Sequence, residues 1–167
     1  VEIALWDALG KEKNKPIHEL LGKKNRDIFK AYSSLFRYGD PKLIEQKCKQ
    51  SLDDGYQAIK LHEIENNCIE AGRKGIGNLP LMLDTNCPWT YNETLSKKNF
   101  LKRMRLTWLE EPLYPPEDYE TLAKLNKELE IPLACGENAC TEYEFKSMIK
   151  QKAVTYVQPS VIKVGGI

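Results

Sequence analysis

Leu81-Met82-Leu83-Asp84-Thr85 is a short apolar run that ends on an acid, and runs of the same kind recur along the chain. They lie at Ile28–Ser34, Ala58–His62, Leu106–Glu110, Pro132–Glu137 and Val154–Ser160. Each is rich in branched, aromatic or leucine residues and flanked by Gly or Pro, as strands buried on both faces are. The stretches between them are amphipathic and have legible starts. Asp40-Pro41 reads as an N-cap followed by proline at the first helical position. Thr90-x-x-Glu93 and Thr141-x-x-Glu144 have the spacing at which Thr and Glu side chains satisfy each other's backbone donors. Gly55 and Gly77 fall where helices should stop. Two further helical pieces, Val1–Leu9 and Ile17–Leu21, precede the first strand. Val1, Leu5, Ala8 and Leu9 share one helical face, which is expected to pack against a neighbour.

Strict alternation of strand and helix implies parallel strands joined by right-handed crossovers, with every strand's carboxyl end on the same side. An open doubly wound sheet and a closed eight-stranded α/β barrel both satisfy this. Six strands are present, so a barrel would lack two units and the chain reads as part of one. Residues 1–22 are then helices preceding the barrel, and residues 28–167 carry strands one to six.

Composition narrows the function classes. The 167 residues are 41% hydrophobic and 29% charged, the profile of a soluble globular protein. Lys and Arg (25) nearly balance Asp and Glu (24), so there is no basic field for nucleic acid or an anionic membrane. No apolar run approaches the roughly 18 residues of a membrane span. The five cysteines are odd in number, and the Cys135-x4-Cys140 pair has no second pair or His set to complete a zinc site. Reduced thiols in a cytoplasmic protein are the expectation. The Gly72–Gly77 stretch ends a helix and precedes a strand, the reverse of a dinucleotide-binding loop.

The strand ends carry the chemistry. Lys60 and His62, Asp84, Glu110, Glu137 and Ser160 follow one another at intervals of 23–27 residues, counted from Lys60. In a barrel, side chains at such positions converge on the C-terminal face. Strand alternation puts Met82 with Asp84, Trp108 with Glu110, and Cys135 with Glu137. If the apolar partner fills the interior, the acid sits just above it. That selects Glu110 over Glu111, which becomes a neighbour that salt-bridges or supports the site. Three converging carboxylates repel one another unless a cation joins them. All-oxygen ligands with open positions suit Mg²⁺, held by Asp84, Glu110 and Glu137. Lys60 and His62 share a side of the second strand. Beside the acids they read as an acid/base pair, His62 exchanging protons near neutrality and Lys60 holding a substrate carboxylate. The plainer reading is a rim ion pair and a satisfied histidine.

Taken together, Lys60-x-His62, Leu83-Asp84-x-Asn86, Trp108-Leu109-Glu110-Glu111-Pro112, Gly136-Glu137-Asn138 and Gln158-x4-Lys163-Val164-Gly165-Gly166 resemble the mandelate racemase/muconate lactonizing enzyme branch of the enolase superfamily. The opening Ala4-Leu5-Trp6-Asp7-Ala8-Leu9-Gly10-Lys11 is similar to the helix before that family's barrel. The resemblance implies a modified (β/α)7β barrel of the TIM type, with about six of eight units present and the N-terminal capping domain absent. It also implies Asp84, Glu110 and Glu137 as Mg²⁺ ligands. The implied chemistry is removal of the proton α to a carboxylate, the cation stabilising the enediolate. Asn86, Glu111, Asn138, Ser160 and Lys163 are then substrate contacts or supports.

Two departures direct the reaction type. Many relatives carry Lys where His62 stands, and Asp or Lys where Ser160 stands. Ser160 cannot act as a comparable acid or base, which speaks against a two-base racemase and a Lys-based cycloisomerase. The expectation is a sugar-acid dehydratase acting on a small carboxylate with Lys60 or His62 as base, homo-oligomeric in its full-length form. Racemisation or epimerisation of a hydroxy or amino acid is the second expectation. A non-catalytic barrel is the alternative of another class, and α-proton exchange separates it from the enzymes. The 167 residues alone are expected to be inactive.

Overall fold

Six parallel strands join edge to edge in chain order in the computed structural model, which describes residues 1–167. They are β1 (Ser33–Ser34), β2 (Ile59–Leu61), β3 (Leu81–Asp84), β4 (Leu106–Glu110), β5 (Leu133–Cys135) and β6 (Tyr156–Val157). Helices α1 (Glu2–Lys13) and α2 (Ile17–Leu21) come first. The connections carry α3 (Pro41–Asp53), α4 (Asn66–Ile76), α5 (Tyr91–Ser96), α6 (Lys98–Arg103), α7 (Tyr119–Glu128) and α8 (Glu142–Lys150). This is a parallel α/β sheet of the TIM-barrel kind. No helix is long and apolar enough to cross a membrane.

The start signals act as expected. The Asp40 carboxylate accepts from Lys42 N–H, with Pro41 at the first helical position, and Thr90 and Thr141 each close a reciprocal capping box with Glu93 and Glu144. Gly77 ends α4 at φ 61°, a conformation that costs a glycine little.

The strand register sorts side chains onto two faces. Lys60, Met82 and Trp108 stand in one row, and Asp84, Glu110 and Ala134 in the row above. Ile59, Leu61, Leu81, Leu83, Leu109 and Leu133 point the other way and join one core with Ile44, Ile69, Leu101, Leu125 and Met148 of the helices. On the first face the Trp108 ring meets Tyr32 at 6.0 Å and Tyr156 at 5.3 Å, centroid to centroid. Three strand steps span roughly 14 Å on a flat sheet, so rings flanking β1 and β4 meet most readily across a concave surface. The face carrying Lys60, Asp84 and Glu110 is therefore the barrel interior.

The Gly72–Gly77 stretch is a packing device. A Cβ at Gly72 would strike the Leu61 methyl groups, and one at Gly75 would lie 2.7 Å from Cys48 Cβ and 3.2 Å from the Glu45 carbonyl oxygen. These glycines let α4 lie close to β2 and α3. Gly75→Ala is expected to lower stability, because overpacking costs about 1–3 kcal/mol against the ~1 kcal/mol that alanine returns in a helix. An unchanged or raised urea midpoint would contradict this packing.

Three expectations need correction. The first strand is Ser33–Ser34, not Ile28–Ser34: pairing with β2 begins at Ser33, and Ile28 and Phe29 are exposed. The last is Tyr156–Val157 for the same reason, since its one partner, β5, is three residues long. Val1 just before α1, and Leu5 and Leu9 on it, do not pack in but remain exposed.

Candidate metal centre and active site

Lys60 is the hub of the strand-end cluster. Only 8% exposed, it donates to Glu110 Oε1 at 2.8 Å and to Asp84 Oδ2 at 3.0 Å. Burial alone would push the ammonium down, but these two carboxylates raise it above the ordinary lysine value. Each acid is pinned on its other oxygen. Trp108 Nε1–H donates to Glu110 Oε2 at 2.9 Å, and Asn86 N–H donates to Asp84 Oδ1 at 3.1 Å. Burial would raise the Asp84 carboxyl, yet His62 and Lys60 hold it down at about 2.

His62 lies beside Asp84, its Nε2 3.2 Å from Oδ2. Its Nδ1 is 2.5 Å from the Leu35 carbonyl. A carbonyl only accepts, so Nδ1 carries a proton. The Asp84 carboxylate also only accepts, so a proton on Nε2 is donated to it, and Nε2 is the nitrogen that can gain or lose one. The Asp84 carboxylate foremost, with the Leu35 carbonyl, raises the imidazole above its usual value.

Glu111 is as buried as Glu110 but turns off the strand at φ 45°. It makes no salt bridge; Asn138 Nδ2 donates to its Oε1 at 2.8 Å and the Cys87 thiol approaches Oε2 at 3.7 Å. Burial first, then the Glu137 charge, push its carboxyl up to about 7, and Asp84 and Glu110 act in the same direction.

Glu137 stands apart from this cluster. Its side chain is 44% exposed and pairs with Lys163 at 3.5 Å. The alternation argument fails here for a visible reason. Cys135 faces the helices, with Sγ 3.8 Å from Met148 Sδ, while Ala134 shares the interior row with Glu110. The strand then stops, and Gly136 at φ 138° breaks the two-residue period. Ser160 is half-buried, and its carbonyl accepts from Lys163 and Val164 N–H. The sequence reading passed over Arg37, Trp108 Nε1 and the Leu35 carbonyl. The strand-end rule applied to the first strand reaches Ser34, which pairs with Lys60, and Arg37 lies three residues beyond it.

Asp84 and Glu110 are buried oxygen donors on either side of one cationic position. That chemistry fits Mg²⁺. In this arrangement no three His, Cys, Asp or Glu side chains meet as a ligand set, and Lys60 takes the cationic place.

A family model described as enolase C-terminal domain-like matches residues 43–167. The chain belongs to this family. The enolase-like chain is 33% identical to the arabinonate dehydratase of Saccharolobus solfataricus, covering 100% of itself and 47% of that protein. The 3,6-anhydro-D-galactonate cycloisomerase structure from Zobellia galactanivorans superposes with a TM-score of 0.89 at 30% identity, over 99% of this chain and 48% of that one. A racemase structure from Streptomyces coelicolor A3(2) with bound magnesium gives 0.87 at 27%, over 98% and 51%. The chain spans about half the length of the curated relatives it matches. Its enolase-superfamily relatives are thus sugar-acid dehydratases, racemases and cycloisomerases.

Proposed function

We propose that the protein is a Mg²⁺-dependent sugar-acid dehydratase that removes the proton α to the substrate carboxylate. The observation that carries this is the meeting of buried Asp84 and Glu110 with Lys60 and His62 at adjacent strand ends. Asp84 and Glu110, with Glu137 as the third ligand, would hold the cation. When bound, it supplies fixed positive charge where the substrate carboxylate becomes electron-rich.

The chain's own groups do the rest. Lys60 stands between the two acids, and with the cation in that place its ammonium would turn to meet the substrate carboxylate. His62 takes the α-proton on Nε2 while the Leu35 carbonyl keeps Nδ1–H and the ring plane fixed. The C–H electron pair becomes the new C=C bond as the β-hydroxyl leaves, and the proton on Nε2 passes to that hydroxyl, which departs as water. One base suffices for this sequence, in keeping with Ser160 at the sixth strand end. Racemisation is the second reading, favoured by the likeness to the Streptomyces coelicolor racemase. The five free thiols agree with a reducing, cytoplasmic setting.

The test is solvent exchange. Protein expressed from its intact gene is incubated in D2O with Mg²⁺ and a library of sugar acids, and NMR follows the α-proton. Exchange or loss of that proton is expected for at least one acid, with dependence on Mg²⁺. Glu110→Gln should weaken Mg²⁺ affinity at least ~10-fold, since it removes an anionic ligand. No α-proton exchange from any acid would sink the enzymatic reading, and unaltered Mg²⁺ affinity would remove Glu110 from the ligand set.

A further inference from the structure

The loop between β1 and α3 is held to the rim of the site from two directions. Leu35 N–H donates to the Lys60 carbonyl at 2.9 Å, and its own carbonyl orients the His62 ring. Glu63, 1% exposed, turns its Oε1 back to accept from Tyr38 N–H at 2.8 Å and Gly39 N–H at 3.3 Å. Arg37 lies between these anchors. Its Nε donates to the His62 carbonyl at 2.8 Å, and one terminal nitrogen donates to the Thr85 carbonyl at 3.0 Å and to Asn86 Oδ1 at 3.2 Å. Asn86 in turn donates its N–H to Asp84. One planar guanidinium therefore ties the backbone at His62, on the second strand end, to residues 85–86 beyond the third.

We propose that Arg37 is a positioning residue, whose guanidinium sets the spacing of His62 from Asp84 and holds the loop that presents the Leu35 carbonyl to the imidazole. This rests on His62 being the group that takes the α-proton. A rigid fork can reach two strand ends at once with its angles preset, whereas a lysine offers one point of attachment. The backbone carbonyls it engages would otherwise have to find water at the rim, and the two strand ends would be free to shift against each other. Arg37 also borders a cleft of about 370 Å³ with Ser34, Phe36, His62 and Asn86, so direct substrate binding is the competing role.

Arg37→Gln and Arg37→Lys, made in protein from the intact gene, separate the two roles. Misplacing a reacting group lowers turnover rather than affinity, so Arg37→Gln is expected to reduce kcat about 10–100-fold with KM within ~3-fold. Arg37→Lys should recover part of kcat and carries the test if the first variant folds poorly. In parallel, NMR should show faster solvent exchange of the His62 Nδ1 proton and of the Tyr38 and Gly39 amides. A raised KM with kcat intact would make Arg37 a substrate contact and overturn the proposal. Unchanged His62 and loop signals would overturn it as well. Should the wild type move no α-proton from any acid, the functional reading fails alone, and the NMR comparison still decides for or against the clamp.

Discussion

Lys60→Met is expected to destabilise the metal-free protein by about 3–5 kcal/mol, the cost of leaving a buried charge without its partner. Lys60, Asp84 and Glu110 are 8%, 1% and 3% exposed, so water cannot replace the lost ammonium without opening the barrel mouth. Methionine keeps most of the apolar stem, which confines the effect to the charge. Asp84 retains His62, and Glu110 retains the Trp108 N–H, so Glu110 is left the more poorly compensated of the two. Added Mg²⁺ should restore part of the loss, because freeing the two acids opens the cationic position that Lys60 fills. At a hundred times its dissociation constant a ligand stabilises by about 2.7 kcal/mol. Urea titrations of both proteins, with Mg²⁺ and with EDTA, measure each part. A loss below ~1 kcal/mol would show that the acids do not depend on Lys60. A variant indifferent to Mg²⁺ would argue against Asp84 and Glu110 as ligands.

The same residues show what could and could not be read before the structure. Asp84 and Glu110 were legible because each ends an apolar run whose two-residue period is unbroken up to the acid. Met82 and Trp108 below them do line the interior. The rim ion pair of Lys60 was legible too, since a lysine one row below two neighbouring acids has few other partners. Alternation separates two faces, however, without saying which is inside. Cys135 is small and apolar enough for either, and it packs against α8; with Gly136 breaking the period just after it, alternation does not place Glu137 on either face. Strand limits were blurred at β1 and β6, where a single partner, rather than local propensity, sets the paired length. Of the two roles expected of Glu111, a salt bridge or support for the site, the salt bridge is absent and an amide, Asn138, meets its Oε1 instead. The Leu35 carbonyl could not be found at all, for a backbone acceptor leaves no mark in the residue type. Arg37 left a mark that was easy to pass over, since an arginine just after a strand usually belongs to the solvated surface.

His62→Asn is expected to lower α-proton exchange about 10²–10⁴-fold, the usual contribution of a positioned general base, while KM changes little. Asparagine is smaller and uncharged. Its amide can still donate to the Leu35 carbonyl or to Asp84, so the rim should remain closed, but it has no nitrogen that titrates. Lys60 would keep both of its carboxylate partners in this variant. The reaction would then retain its fixed positive charge and lose only the group that moves the proton. Single-turnover exchange in D2O, read by NMR on whichever acid the screen identifies, isolates that step from product release. The outcome also apportions the two basic residues of the second strand end. Exchange that persists at the wild-type rate in His62→Asn would transfer the base to Lys60, which must then leave Asp84 and Glu110 and give up its proton before it can act. Exchange lost from His62→Asn but retained in Lys60→Met would make the imidazole the proton carrier and the ammonium a fixed charge. That is the division of labour favoured by the bonds at Nδ1 and at the buried lysine.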